Sequence, residues 1–340
     1  MHAPLFKIRE NGKYGFIDAE GRMAIEPQYL EAEDFYNGFS RVRFNDKWVH
    51  IDAMGRLLLK HIFNFAGLFE EGLARVQLVN RWGYIDTRGN LSVDIRFEDA
   101  GDFGSGLAPV RHHGYYGYIR QDGSWAIRPG FEHAREFSRG LAPVCLAGKW
   151  GYIDEEGGLA VAPRFDGCQA FQGEVAFVRE GQLWGLVNRP GELLVEPQFE
   201  LLEGYAQGEF FDDLAIVVQD GLFGFINQVG ELVVEPAFAF AGDFGDGLAP
   251  VQMHQRFGYI GPSGEIAIPP RFEDAGLFAD GLAPVKTNGH WGFIDREGEW
   301  RIPPKYEAAL PFKDGMALVV KAGKWLYLDT EGTIIWEESS

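Results

Sequence analysis

The chain has 340 residues, of which 46% are apolar, 14% aromatic and 24% charged, with a formal net charge of −19. That charge argues against nucleic acid or an anionic membrane surface as the main ligand, because binding phosphate takes an excess of Lys and Arg. Two cysteines make no disulfide framework, no apolar run reaches the length of about 18 residues needed to span a membrane, and 45 glycines without a three-residue period are not collagen.

The chain enters an apolar alternating run at once, Phe6-Lys7-Ile8, with no basic segment, long apolar segment and small-residue cleavage site before it, so a cytoplasmic location is expected. A ten-fold repetition follows. Its marker is an aromatic at Tyr14, Trp48, Trp82, Tyr116, Trp150, Trp184, Phe223, Phe257, Trp291 and Trp325, and every step is 34 residues except 223 − 184 = 39. A fixed period of this size is the signature of a repeat architecture.

Each unit reads as three strands. The first carries Leu-Ala-x-Val, as in Leu73 to Val76, with alternate positions facing a core. A short turn, often with Gly, leads to the second strand, where the marker aromatic, a small residue, a second aromatic and an aliphatic follow in order. The small residue is Gly in eight units and is expected to seat a neighbouring side chain; Val49 and Leu326 replace it. The marker aromatic and the aliphatic read as core. Asp, as at Asp52 and Asp154, with Gly three residues later in every unit, predicts a turn closed by the Asp side chain and a glycine at positive φ. The third strand holds a buried aliphatic, as at Ile25 and Val161, and commonly ends at Pro, which has no N–H to donate.

The linker to the next unit carries two aromatics six residues apart, as at Phe97 and Phe103, expected to fill the space between successive sheets across a helical turn or irregular crossover. Prolines inside the first strand, at Pro109, Pro143, Pro250 and Pro284, predict that this strand is the edge of its sheet. Residues 6–25 and 317–336 each supply a complete three-strand set, with no unit shared between the ends. The expected fold is therefore all-β: residues 1–340 as a single domain of ten 34-residue three-stranded units, an open superhelix or solenoid in preference to a closed propeller-like ring.

The segments Trp82-Gly83-Tyr84-Ile85-Asp86, Trp150-Gly151-Tyr152-Ile153-Asp154 and Trp291-Gly292-Phe293-Ile294-Asp295 resemble the bacterial WG-repeat proteins, and the surrounding Phe-x-x-Gly-Leu-Ala-x-Val segments match that repeat as well. The resemblance covers essentially the whole chain. It departs at Val49 and Leu326, and at Arg120, Asn188, Asn227 and Gly261 in place of the turn Asp. It implies a β-structured interaction module and supplies no catalytic residue to carry over.

Candidate chemistry is sparse. His112, His113, His254 and His290 fall near turns of three units without metal-ligand spacing, so no metal and no cofactor are expected. Cys168 replaces a small buried residue and reads as an inert thiol; Cys145 falls in a column that should face outward. The linker column Glu98, Glu132, Asp166, Glu200, Glu273 and Glu307 is a ladder rather than a catalytic pair, and reads either as a solvated edge or as an acidic stripe for a basic partner. The one irregularity is a five-residue insertion near 206–213, in Tyr205-Ala206-Gln207-Gly208-Glu209-Phe210-Phe211. Insertions in repeats map to loops that can carry binding residues.

The sequence therefore points to a non-enzymatic, monomeric repeat scaffold binding a protein or peptide of basic character. Tyr205, Glu209, Phe210 and Phe211 are the point anchors, and Glu98, Glu132 and Glu273 represent the acidic stripe. The alternative is a glycan-binding or glycan-cleaving β-repeat protein, which the aromatic and carboxylate content permits.

Overall fold

The second strand of each unit is buried on both faces. In Lys149–Ile153, Gly151, Tyr152 and Ile153 are all inaccessible, which is why the motif reads as a short continuous run and not as an alternation. In a computed structural model that describes residues 3–45, 47–58, 63–200 and 208–339, this strand lies between two others in antiparallel order. The described residues form ten successive antiparallel sheets, eight of four strands, one of three and one of two, and no helix. Leu59, His2, His61 and Tyr205 lie outside the described residues.

The fourth strand corrects two expectations. The linker contributes a two-residue strand, as at His133–Ala134, which pairs with the first strand Ala142–Leu146. There is thus no helical turn in the linker, and the first strand is interior. The edges of each four-stranded sheet are the short linker strand and the third strand, as at His133–Ala134 and Leu159–Phe165. The first-strand prolines are tolerated because the linker pairing is so short: beyond it, only the proline carbonyl is used, with Arg135 N–H donating to Pro143 O at 3.0 Å and Gly101 N–H to Pro109 O at 2.8 Å.

Both hairpin turns follow local chemistry. Between the first and second strands, Ala147 and Gly148 have φ of 51° and 72°, the two positive values of a two-residue hairpin turn. Between the second and third, Asp154 Oδ1 accepts the N–H groups of Glu156 at 3.1 Å and Gly158 at 2.6 Å, while Gly157 takes φ of 87°.

The glycine after the marker aromatic faces backbone, not a side chain. Trp150 pairs with Phe165 and Tyr152 with Val161, so one residue on the second strand opposes three on the third. This bulge presses the third strand inward until a Cβ on Gly151 would meet Val161 O at 2.4 Å and Pro163 N at 2.7 Å. The final unit shows the converse. Leu326 stands directly opposite Glu337 and Tyr327 opposite Trp336, with no offset at that point, and the larger residue is accommodated.

The marker aromatic is half-buried in nine of its ten occurrences, Phe223 being the buried one. The fully enclosed ring is the second aromatic, at Tyr84, Tyr118, Tyr152 and Tyr259. Each of these phenols donates to a linker carbonyl 17 residues later, for instance Tyr152 to Gln169 O at 2.8 Å. The second linker aromatic packs edge-on against the same ring, as in Tyr152 with Phe171 at 4.7 Å between centroids. The linker aromatics do fill the space between successive sheets.

By contacts the chain divides into two compact units, residues 1–18, 22–181 and 185–194 in one, and 19–21, 182–184 and 195–340 in the other. The first is built on core clusters such as Tyr152, Val161, Phe165, Phe171, Val178 and Val187, which join one sheet to the next. Recurrent clasps reinforce them: Arg96 and Arg164 each donate to a turn carbonyl 27 residues later, Gly123 O at 3.0 Å and Gly191 O at 2.6 Å, while lying over the rings of Phe97 and Phe165. In the second unit Tyr259, Ile268, Phe272, Phe278 and Ile294 repeat the arrangement, with Arg271 donating to Gly298 O. There the turn glycines lie on the preceding third strand, Gly264 near Val234, Gly298 near Ile268 and Gly332 near Ile302, and Gly21 lies near the Ile335 carbonyl.

Candidate functional site

The acidic ladder is part of the hairpins. Glu132 Oε2 accepts the N–H of Gly148 at 2.8 Å, Glu98 Oε2 that of Gly114 at 3.0 Å, and Glu273 those of Asn288 and Gly289, both at 2.9 Å. Asp166 does the same for Gly181 and pairs with Lys149 at 2.6 Å. These donors hold the carboxyls of Glu98 and Glu273 below their ordinary range; at Asp166 the Lys149 ammonium acts first and the Gly181 N–H second. Glu98, Glu132 and Glu273 each close the turn of their own sheet.

The five extra residues lie between Glu200, which bridges Val218, and Phe211, which pairs with Leu214 across a two-residue turn of Asp212 and Asp213. Phe211 is exposed and Phe210 half-buried. Glu209 beside them is exposed; burial first, and the Glu209 charge second, raise the Asp243 carboxyl. The local frame survives the insertion: Asp212 Oδ2 accepts Gly247 N–H at 2.9 Å, the same link across 35 residues that Asp246 makes to Gly281 and Asp280 to Gly315.

Reactive groups are enclosed. Cys168 is fully buried, and burial pushes its thiol up to about 12. Cys145, expected to face outward, is buried too, because Glu132 folds over the hairpin with its carboxylate 3.7 Å from Sγ; burial, then Glu132, raises the thiol. His112 and His113 lie against each other with their rings tilted by 54° and 4.1 Å between centroids. No group of three metal-binding side chains is found among the described residues.

His50 carries a signal the column reading passed over. It occupies the place of the enclosed tyrosines and makes their bond, Nε2 to Gly67 O at 2.6 Å, 17 residues on. Burial pushes its imidazole down to about 4, opposed by the Gly67 bond.

A second missed feature is an apolar column at the start of every third strand: Met23, Leu57, Leu91, Trp125, Leu159, Leu193, Leu232, Ile266, Trp300 and Ile334. Strand alternation places each on the side of a buried aliphatic two residues later. Met23, Leu91, Leu159, Ile266, Trp300 and Ile334 are nevertheless 38–56% exposed, because the strand begins at the rim of the unit where no further sheet covers it. The period of 34 could have shown the column; only the fold shows its exposure.

No curated protein matches the chain. Among solved structures it is similar to one described as the crystal structure of the eukaryotic initiation factor, at 10% identity and a TM-score of 0.54, covering 99% of this chain and 96% of that one. That likeness concerns the fold alone. Dihydro-heme d1 dehydrogenase NirN in complex with DHE aligns at 14% identity, TM-score 0.41, over 99% and 74% of the two chains, and Kluyveromyces lactis Hsv2p at 10%, TM-score 0.36, over 68% and 92%. The model of the WG containing repeat matches residues 14–48, 51–80, 82–116, 116–150, 150–184, 184–223, 223–255, 257–290 and 291–325. With sheets that repeat in step with those matches, the chain belongs to the WG containing repeat family.

Proposed function

We propose that the chain is a non-enzymatic repeat scaffold that binds a protein or peptide. One observation carries this reading: the polar groups that recur from unit to unit are engaged in closing turns and joining sheets, and the positions where units differ are exposed. Asp154, Glu132 and the Tyr152 hydroxyl all bond within the framework. Phe211, beside Phe210 on a hairpin that the other units also form but where most of them carry a small or polar residue, is exposed. Exposed aromatics on a rigid support are the side chains that anchor protein interfaces.

The test is capture of partners by cross-linking to the whole chain and to Phe210→Ser/Phe211→Ser. The double variant should retain the unfolding midpoint to within a few degrees and lose bound partner by about ten-fold, equivalent to about 1.4 kcal/mol. Turnover of a polysaccharide by the whole chain, with no captured protein, would sink the reading in favour of the glycan alternative.

A further inference from the structure

The exposed apolar column changes character along the chain. In the second compact unit it is joined to a column of carboxylates: Glu231-Leu232, Glu265-Ile266 and Glu299-Trp300 repeat one dipeptide at steps of 34 residues, and Ile334 follows three residues after Glu331. Ile266, Trp300 and Ile334 are 54%, 38% and 50% exposed, and Glu231, Glu265, Glu297, Glu299 and Glu331 are all exposed. Corresponding positions early in the first unit carry the opposite charge, Arg22-Met23 and Arg56-Leu57, and there each arginine pairs with its turn aspartate, Asp18 at 2.7 Å and Asp52 at 2.6 Å.

Successive members of the second-unit column are neighbours in space. The turn that precedes each one rests on the third strand of the preceding sheet, where a Cβ on Gly264, Gly298 or Gly332 would meet Val234, Ile268 or Ile302 at 3.1 Å. These turns thus set the apolar residues and carboxylates along one rim, where Glu231 accepts from Asn227 Nδ2 at 3.1 Å and Glu265 from Ser263 Oγ at 2.6 Å. Three cations reach this rim: Arg301 in the third strand, 3.7 Å from Glu331, Arg296, whose Nη2 lies near Gly247, and Arg271, which donates to Gly298 O, against five exposed glutamates. The balance stays acidic.

We infer that this rim, Glu231–Leu232, Glu265–Ile266, Glu299–Trp300 and Glu331–Ile334, docks a basic amphipathic polypeptide segment, with apolar anchors against Ile266 and Trp300 and Lys or Arg against the glutamates. This rests on the scaffold reading and gives it a partner chemistry and a place apart from the Phe210–Phe211 hairpin. Charge selects the partner: alternating carboxylates repel an acidic segment and an anionic lipid surface, and they make burial of the apolar anchors productive only for a cationic one. Isolated exposed apolar residues need no explanation, whereas a contiguous row rimmed by one sign of charge marks an interaction site. A half-exposed Trp at the centre of such a row is a residue type enriched at interface hot spots.

The experiment measures binding of the whole chain to three synthetic peptides: Lys and Leu with the leucines on one face, Lys and Ser of the same length and charge, and Glu and Leu in the first pattern. Anionic vesicles form a fourth arm. The Lys/Leu peptide should bind, the Lys/Ser peptide at least about ten-fold more weakly, and the Glu/Leu peptide and vesicles not at all. Ile266→Ser/Trp300→Ser should weaken the Lys/Leu peptide about ten-fold, and Glu265→Gln/Glu299→Gln should flatten its salt dependence. Equal binding of the two Lys peptides, unchanged binding by both double variants, or binding to vesicles would overturn the inference. Thermal unfolding of each variant separates lost binding from lost folding, and Glu265→Gln/Glu299→Gln leaves every apolar contact in place should the first variant fail to fold. A natural partner captured by the whole chain but indifferent to these substitutions would leave the scaffold reading standing and this inference refuted.

Discussion

A methyl group on Gly151 would stand 2.4 Å from the Val161 carbonyl oxygen, inside any normal contact, so Gly151→Ala must push the bulged third strand away. Overpacking of this kind costs about 1–3 kcal/mol, and urea unfolding of the variant should show a loss in that range. Leu326→Gly is the matching change in the final unit, where no bulge fills the space; it should cost about 2–5 kcal/mol through the cavity left behind. Were Leu326→Gly neutral, the link between bulge and glycine would be wrong. The glycine column was legible in the sequence, but what it faces was not, because the count of residues on the opposing strand is set by pairing and leaves no mark in the period. His50 gives a prediction in pH. It is neutral in the fold down to about 4, whereas an unfolded histidine takes its proton near 6.5, so the unfolded chain binds the extra proton first. Stability from this site is complete above about pH 6.5 and falls as the pH drops towards 4, by roughly 3 kcal/mol over the whole interval. His50→Tyr, which installs the residue of the other units, should flatten the difference in unfolding free energy between pH 7 and pH 4.5; an unchanged slope would remove His50 as its source.

At the scale of the element, each hairpin is held from outside by the linker. The Tyr152 hydroxyl satisfies Gln169 O inside the core, so Tyr152→Phe should cost about 1 kcal/mol by leaving that carbonyl without its donor. Glu273 takes both turn N–H groups of its hairpin. Glu273→Ala should lower the melting temperature and speed amide exchange at Asn288 and Gly289, while Glu273→Gln, which keeps one acceptor oxygen, should fall between it and the wild type. Equal exchange in all three would show that the carboxylate adds nothing to the turn. The turns and central strands were legible because Asp, Gly and the apolar run act locally. The linker strand was not: two residues are too few to show a period, and its pairing turns the proline-bearing first strand from an edge into an interior strand. For the same reason the acidic column looked free, since its partners are backbone N–H groups that carry no sequence signature. Of the expected anchors, Phe211 stood out as a departure from the period, Phe210 stands one period before Phe244, and the rim of Ile266 and Trp300 follows the period and was passed over.

For the whole molecule, a net charge of −19 opposes compaction through self-repulsion. Raising salt from about 0.01 to about 0.15 M shortens the screening length from roughly 30 to roughly 8 Å. The urea midpoint should therefore rise with salt, since exposed pairs such as Arg22 with Asp18 contribute little that screening could remove. A falling midpoint would mean that the ion pairs outweigh the repulsion. The links from Asp212 to Gly247, Asp246 to Gly281 and Asp280 to Gly315 have a consequence for how such a gene can grow and shrink. Each joins the same two columns, so removing a whole period, residues 247–280, hands Asp246 the Gly315 partner that Asp280 had held. Unequal recombination in steps of one repeat thus leaves donors and acceptors matched, and a change of any other length is tolerated only where, as between Glu200 and Phe211, it falls outside every such link.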